Sequence, residues 1–169
     1  PINSLPTATL NGGGTICPGG NANLSVALTG TGPWSVTYTD GTAPVTVSNI
    51  TTSPHTISVS PASTATYSLV SASEANCDAT SLSGTAQVTV NSMPIVTVPT
   101  IATVGNDVGS CGASVAFEAT ATGFPAPSIT YTIGETAIAS GHVFPVGTTT
   151  VTATATNDCG TDIESFTVT

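Results

Sequence analysis

The chain has 169 residues, 39% hydrophobic and only 5% charged, and it contains no lysine and no arginine, so its acidic residues set a net charge of −9. Without a fixed cation nothing neutralises phosphates, which excludes nucleic-acid binding, and there is no basic patch to meet an anionic membrane. No amine is available for a Schiff base and no guanidinium to clamp a carboxylate or phosphoryl group.

No apolar run approaches the roughly 20 residues of a membrane helix, so no membrane insertion is expected. The one methionine, Met93, is internal, which suggests a mature or excised piece from which any secretion signal has been removed. Low charge also leaves little repulsion to oppose association side by side or end to end.

Apolar and polar residues alternate with period two, and no helical period survives more than a turn. In chain order the alternation predicts strands over 23–28, 34–39, 45–50, 55–60, 65–71 and 85–90, then over 95–98, 114–120, 128–133, 148–156 and 165–169. Between them stand Gly12-Gly13-Gly14, Pro18-Gly19-Gly20, Gly30-Thr31-Gly32-Pro33, Asp40-Gly41 and Phe124-Pro125-Ala126-Pro127, clusters that suit turns and break ladders. Short strands so spaced, filled with Thr and Val, predict β-sandwiches.

An internal echo marks a boundary. Asn91-Ser92-Met93-Pro94 follows one predicted strand, and Asn3-Ser4-Leu5-Pro6 opens the chain. A copy of the chain joined after Phe166-Thr167-Val168-Thr169 would reproduce the central junction. The expectation is two domains, 1–91 and 92–169, with Pro94 stiffening the linker, and a unit suited to a tandem array.

Each half carries one early and one late cysteine, Cys17 and Cys77, then Cys111 and Cys159. Pairing within each half, Cys17–Cys77 and Cys111–Cys159, is the favoured expectation in an oxidising exterior, where each bridge would close a long loop. In a regular sandwich, however, such cysteines lie at opposite ends, beyond bridging distance. The competing pattern spans domain junctions, with Cys17 to Cys159, and Cys111 to Cys77 of a neighbouring copy. Free buried thiols are the third alternative.

Residues 6–90 resemble the Ig-like repeats of large secreted surface adhesins of the Bacteroidetes type. The resemblance rests on Gly14-Thr15-Ile16-Cys17-Pro18-Gly19-Gly20, on Gly30-Thr31-Gly32-Pro33-Trp34-Ser35-Val36-Thr37-Tyr38, on Ser60-Pro61-Ala62-Ser63-Thr64-Ala65-Thr66-Tyr67 and on Ala75-Asn76-Cys77. Residues 94–169 look like a hyaline-repeat (HYR) module, through Phe144-Pro145-Val146-Gly147-Thr148-Thr149-Thr150-Val151-Thr152-Ala153 and Phe166-Thr167-Val168. The resemblance implies Ig folds, a stalk or adhesive role at the cell surface, and export by a type IX route.

Several residues invite a chemical reading. Trp34 opens a strand and is read as core, with a sugar-stacking platform as the alternative. Tyr67 follows a turn and resembles a tyrosine corner whose hydroxyl ties back to the backbone. His55 and His142 have no partner at metal-ligand spacing and are read as strand-flank residues. Asn157, Asp158, Asp162 and Glu164 offer oxygen ligands for calcium but lack the loop pattern of a calcium site, and are read as solvated acids. No pair of acids is focused for glycosidic catalysis, and no nucleophile elbow is present. Asn23-Leu24-Ser25 and Asn49-Ile50-Thr51 match glycan acceptor sites. Without lysine there is no Lys–Asn isopeptide staple.

The expectation is therefore an all-β chain of two Ig-like antiparallel β-sandwiches in series, with no catalytic residue, cofactor or metal. It would act as a structural repeat unit of an extracellular filament, stalk or adhesin. Its partners would be copies of itself joined end to end, or a covalent tandem array, with surface glycans as candidate ligands. If copies are separate chains, residues 1–10 are a candidate strand for completing a neighbour's sheet. The alternative is a carbohydrate-binding or accessory module of a secreted hydrolase, which requires a planar row of exposed aromatics.

Overall fold

The structure is a computed structural model that describes residues 5–75 and 77–169. All of its regular elements are strands. The chain divides into two compact units, Pro1–Val90 and Asn91–Thr169.

In the first unit the strands are β1 (Thr7–Ile16), β2 (Ala22–Leu28), β3 (Trp34–Thr39), β4 (Val45–Ile50), β5 (His55–Val59), β6 (Ala65–Glu74), β7 (Ser81–Ser83) and β8 (Thr85–Val90). One layer joins β7, the first half of β1, β2 and β5; the other joins β4, β3, β6, β8 and the second half of β1. Leu10, Leu24, Val26, Val36 and Val88, all fully buried, fill the space between the layers.

β1 therefore belongs to both layers. Ala8–Gly12 pairs antiparallel with β2, while Gly13–Ile16 pairs parallel with Gln87–Val90 of β8. The change of layer falls at Gly12 and Gly13, with φ of +94° and +89°. A Cβ at Gly13 would stand 2.1 Å from the Gln87 carbonyl oxygen. Gly12-Gly13-Gly14 thus lies inside a strand, where the sequence predicts a break. Only glycine combines this backbone with so close an approach.

The second unit holds β9 (Ser92–Thr97), β10 (Gly112–Val115), β11 (Thr120–Phe124), β12 (Ser128–Ile133), β13 (Thr136–Ile138), β14 (His142–Pro145), β15 (Thr149–Asn157) and β16 (Gly160–Val168). β13, β12, β15 and β16 form one sheet, covered by the antiparallel pairs β9–β11 and β10–β14. Phe117 is the hub of its core: its ring lies 5.0 Å from Tyr131, 5.4 Å from Phe166 and 6.2 Å from Phe144.

Phe117 stands in a segment that the alternation assigns to a strand over 114–120. The strand stops at Val115. The alternation persists, with Phe117 and Ala119 buried, but side chains replace the ladder. The Phe117 amide donates to Ser140 Oγ (2.9 Å) and the Ala119 amide to the Tyr131 hydroxyl (2.8 Å). This segment carries the chain from the β10–β14 pair to the β9–β11 pair, so no single ladder can run through it.

The strand-donation variant is corrected for the described part of its segment. Thr7–Leu10 is committed to its own unit, with Ala8 opposite Leu28, Leu10 opposite Val26, and Leu10 fully buried. With an inward-facing leucine and a satisfied ladder, Thr7–Leu10 is not free to pair with a neighbour. Residues 1–4 lie outside the described residues.

Candidate functional sites at the poles of each unit

Each unit has an entry pole, where the chain comes in, and an exit pole, where it leaves. At the entry pole of the first unit, Thr7 and Thr29 are joined by hydroxyl and backbone bonds, and the Thr80 amide donates to the Pro6 carbonyl (3.2 Å). The end of β6 closes the same pole. The Glu74 carboxylate accepts from the Thr31 amide (2.7 Å), and the Glu74 amide donates to the Cys77 carbonyl (2.9 Å). At the exit pole Ile16 lies opposite Val90, Ala65 begins β6 opposite Val88, and the Cys17 carbonyl accepts from Gly20.

In the second unit the entry pole is built by residues that the sequence offers as calcium ligands. The Asn157 side-chain amide donates to the Ser92 carbonyl (2.9 Å) and the Pro125 carbonyl (3.0 Å), and its oxygen accepts from the Cys159 amide. Asp162 accepts from the Val96 amide (2.7 Å). Both side chains pin the incoming strand β9 to the β15–β16 hairpin, and Glu164 is exposed further along β16. Among the described residues no group of three or more His, Cys, Asp or Glu is placed to hold a metal.

At the exit pole Val104 donates to the Thr169 carbonyl (2.9 Å) and Thr149 lies opposite Val168. A cavity of about 210 Å³ opens here among Val104, Ala113, Phe144, Val146 and Val168. Cys111 is exposed and precedes Gly112, which pairs with Pro145 of the cavity lining. This cavity has no motif in the sequence. It arises because β10 and β14 end where β16 runs out, and its one outward signal is the apolar Val146 in a turn, 71% exposed.

The poles decide the cysteines. Cys17 and Cys159 are disulfide-bonded, whereas Cys77 and Cys111 are free thiols. Neither within-domain bridge, Cys17–Cys77 or Cys111–Cys159, is formed. Cys17 sits at the exit pole of its unit and Cys77 at the entry pole, separated by the length of β6, about 30 Å at ~3.3 Å per residue. Cys111 and Cys159 are separated by the length of β15 in the same way. A disulfide needs Cα atoms within about 7 Å.

Trp34 is half-buried against the core and its indole donates to the Thr29 carbonyl (3.0 Å). Tyr67 is buried 6.1 Å from Tyr38. Burial, then the charges of Asp40 and Tyr38, push its hydroxyl pKa above 10.0. Hydrogen bonds from Thr42 hold Asp40 below the usual carboxylate value. The Tyr131 hydroxyl, which sequence reasoning passed over, accepts from the backbone amide of Ala119. His55 lies on β5 opposite Val26, and His142 stands edge-on to Phe144 at 5.0 Å. Asn23 and Asn49 are both exposed. Of the aromatics, Phe124 alone is widely exposed, at 63%, so no planar aromatic row exists among the described residues.

No family model matches the chain, and no curated protein matches it. Solved structures do. A titin fragment of domains I67–I69, an E-to-A variant, aligns over 99% of this chain and 64% of its own length, with TM-score 0.60 and 15% identity. DIP-gamma IG1+IG2 aligns over 98% of this chain and 97% of its own, with TM-score 0.59 and 13% identity. Sidekick-1 immunoglobulin domains 1–4 align over 99% of this chain and 48% of their own length, with TM-score 0.55 and 13% identity. The fold is a tandem of Ig-like β-sandwiches. The chain spans just under two thirds of the titin fragment, and at these identities the likeness concerns the fold alone.

Proposed function

We propose that the chain is a non-catalytic structural repeat unit of an extracellular filament, stalk or surface adhesin, in which units follow one another end to end. The observation that carries this reading is the placement of the termini. In each unit the chain enters at one pole and leaves at the other, the arrangement that a linear array of sandwiches requires. Asn157 and Asp162, offered as calcium ligands, are spent on pinning strands. Bonded cysteines favour an oxidising exterior. The Bacteroidetes-type and HYR resemblances stay part of this proposal, together with surface glycans as ligands and type IX export.

The test is electron microscopy of native cell-surface material labelled with an antibody to the chain. Thin filaments or stalks decorated along their length are expected. Label confined to dispersed single particles in the culture fluid would overturn the reading.

A further inference from the structure

We infer that Cys111 of one copy and Cys77 of the next form a disulfide across the junction between copies. This rests on the end-to-end reading above and names the covalent partner of each pole. The argument begins with an internal precedent. In both units the early cysteine lies at the exit pole and the late one at the entry pole. The exit-pole cysteine of the first unit, Cys17, and the entry-pole cysteine of the second, Cys159, are both bonded. The remaining thiols are the exit-pole cysteine of the second unit and the entry-pole cysteine of the first, both reachable by solvent. A second copy that follows in sequence order presents its entry pole, with Cys77, to the exit pole that carries Cys111.

Two further observations name that second copy as the occupant. Asn3-Ser4-Leu5-Pro6 repeats Asn91-Ser92-Met93-Pro94, so the sequence that opens the second unit also opens the first. The exit pole carries the 210 Å³ cavity among Val104, Ala113, Phe144, Val146 and Val168, and the entry pole presents Leu5, 51% exposed, an apolar side chain of suitable size to enter it.

The bond needs an oxidant, and a low-molecular-weight disulfide such as glutathione disulfide is sufficient. Cys111 thiolate displaces one glutathione to give a mixed disulfide. Cys77 thiolate of the next copy then attacks the Cys111 sulfur and releases the second glutathione. Two protein thiols are oxidised, one glutathione disulfide is reduced, and the two thiol protons end on the two glutathiones.

The experiment incubates the purified chain with glutathione and glutathione disulfide, followed by non-reducing gels and mass spectrometry of linked peptides. Wild type should give a ladder in steps of 16.5 kDa that reductant collapses. Cys77→Ser alone and Cys111→Ser alone should stay monomeric, while a mixture of the two should give a dimer linked Cys77 to Cys111, roughly tenfold or more over homotypic links. Circular dichroism, which reads the strands of both units, checks that each variant is folded. Homotypic dimers matching the mixed dimer in yield, or wild type that stays monomeric, would overturn the inference. Filaments in the doubly substituted protein would then leave the end-to-end reading standing. Their absence there, and in wild type, would count against both.

Discussion

Gly13→Ala tests the layer change in β1. The new Cβ would stand 2.1 Å from the Gln87 oxygen and 2.8 Å from the Gln87 carbonyl carbon. Both are backbone atoms of β8, so relief requires the two strands to part by about 1 Å. The left-handed backbone adds about 1–2 kcal/mol for any residue with a Cβ. Opening the short ladder from Gly13 to Ile16 forfeits roughly two hydrogen bonds of about 1 kcal/mol each. The total, about 3–4 kcal/mol, is a large part of the ~5–15 kcal/mol of a typical domain and corresponds to a melting shift on the order of 15–30 °C. Gly14→Ala is the control, since Gly14 also has positive φ, +134°, but nothing lies within 4 Å of its added Cβ. It should cost only the backbone term, about 1–2 kcal/mol. Trp34 is the sole tryptophan and lies in the first unit, so urea unfolding followed by its fluorescence reports that unit directly. If the two variants unfold within about 0.5 kcal/mol of each other, the close approach does not govern β1 and the argument is wrong.

Two other predictions concern the cores. Phe117→Ala should destabilise the second unit by about 3–5 kcal/mol, because it empties the centre of the Phe117, Tyr131, Phe144 and Phe166 cluster; hydrogen exchange of the β15 amides should rise accordingly, and unchanged protection would refute the hub role. Tyr67 has its pKa raised above 10.0 in the folded state. The stability linked to its neutral form is fully present below that unfolded value and is lost as pH rises through the folded one. Tyr67→Phe should therefore blunt the loss of stability between about pH 9 and 11, read by Trp34 in urea. An identical loss in both proteins would show that burial of the hydroxyl is not the cause.

Several strands were legible in the sequence to the residue. The predicted 34–39, 45–50, 85–90 and 128–133 coincide with β3, β4, β8 and β12. The first part of β1 was legible within the candidate strand over 1–10, but its continuation to Ile16 was hidden because its glycines read as a turn, although what they permit is a change of layer. β7 and β13 are three residues long, too short for any alternation to register. The cysteines illustrate a different limit. Their division between the halves favoured pairing within each, while the strand directions of a regular sandwich argued against it by placing such cysteines at opposite ends, and the structure follows the strand directions. Asn157 and Asp162 were legible as a polar cluster, but their purpose was not. A carboxylate that accepts a backbone amide across the sheet has the same local sequence as one that faces a cation.

The missing cations have a counterpart in the hydrogen bonds. Where sheets commonly place opposite charges across strands, this chain places hydroxyls. Thr37 meets Thr46 at 2.8 Å, Ser35 meets Ser48 at 3.2 Å, Thr9 meets Ser83 at 3.0 Å, Thr152 meets Ser165 at 3.2 Å and Thr156 meets Thr161 at 3.3 Å. Such pairs are neutral, so the ionic atmosphere that weakens exposed ion pairs, with a screening length of about 10 Å at 0.1 M salt, leaves them untouched. The remaining long-range electrostatic contribution is repulsion among the acidic residues behind the net charge of −9, and salt screens that in favour of the folded state. Moving from low to moderate sodium chloride should therefore leave the urea midpoint of Trp34 unchanged or slightly higher. A fall of more than about 0.5 kcal/mol would mean that attractive charge interactions hold the sandwich together and that the hydroxyl pairs do not replace them.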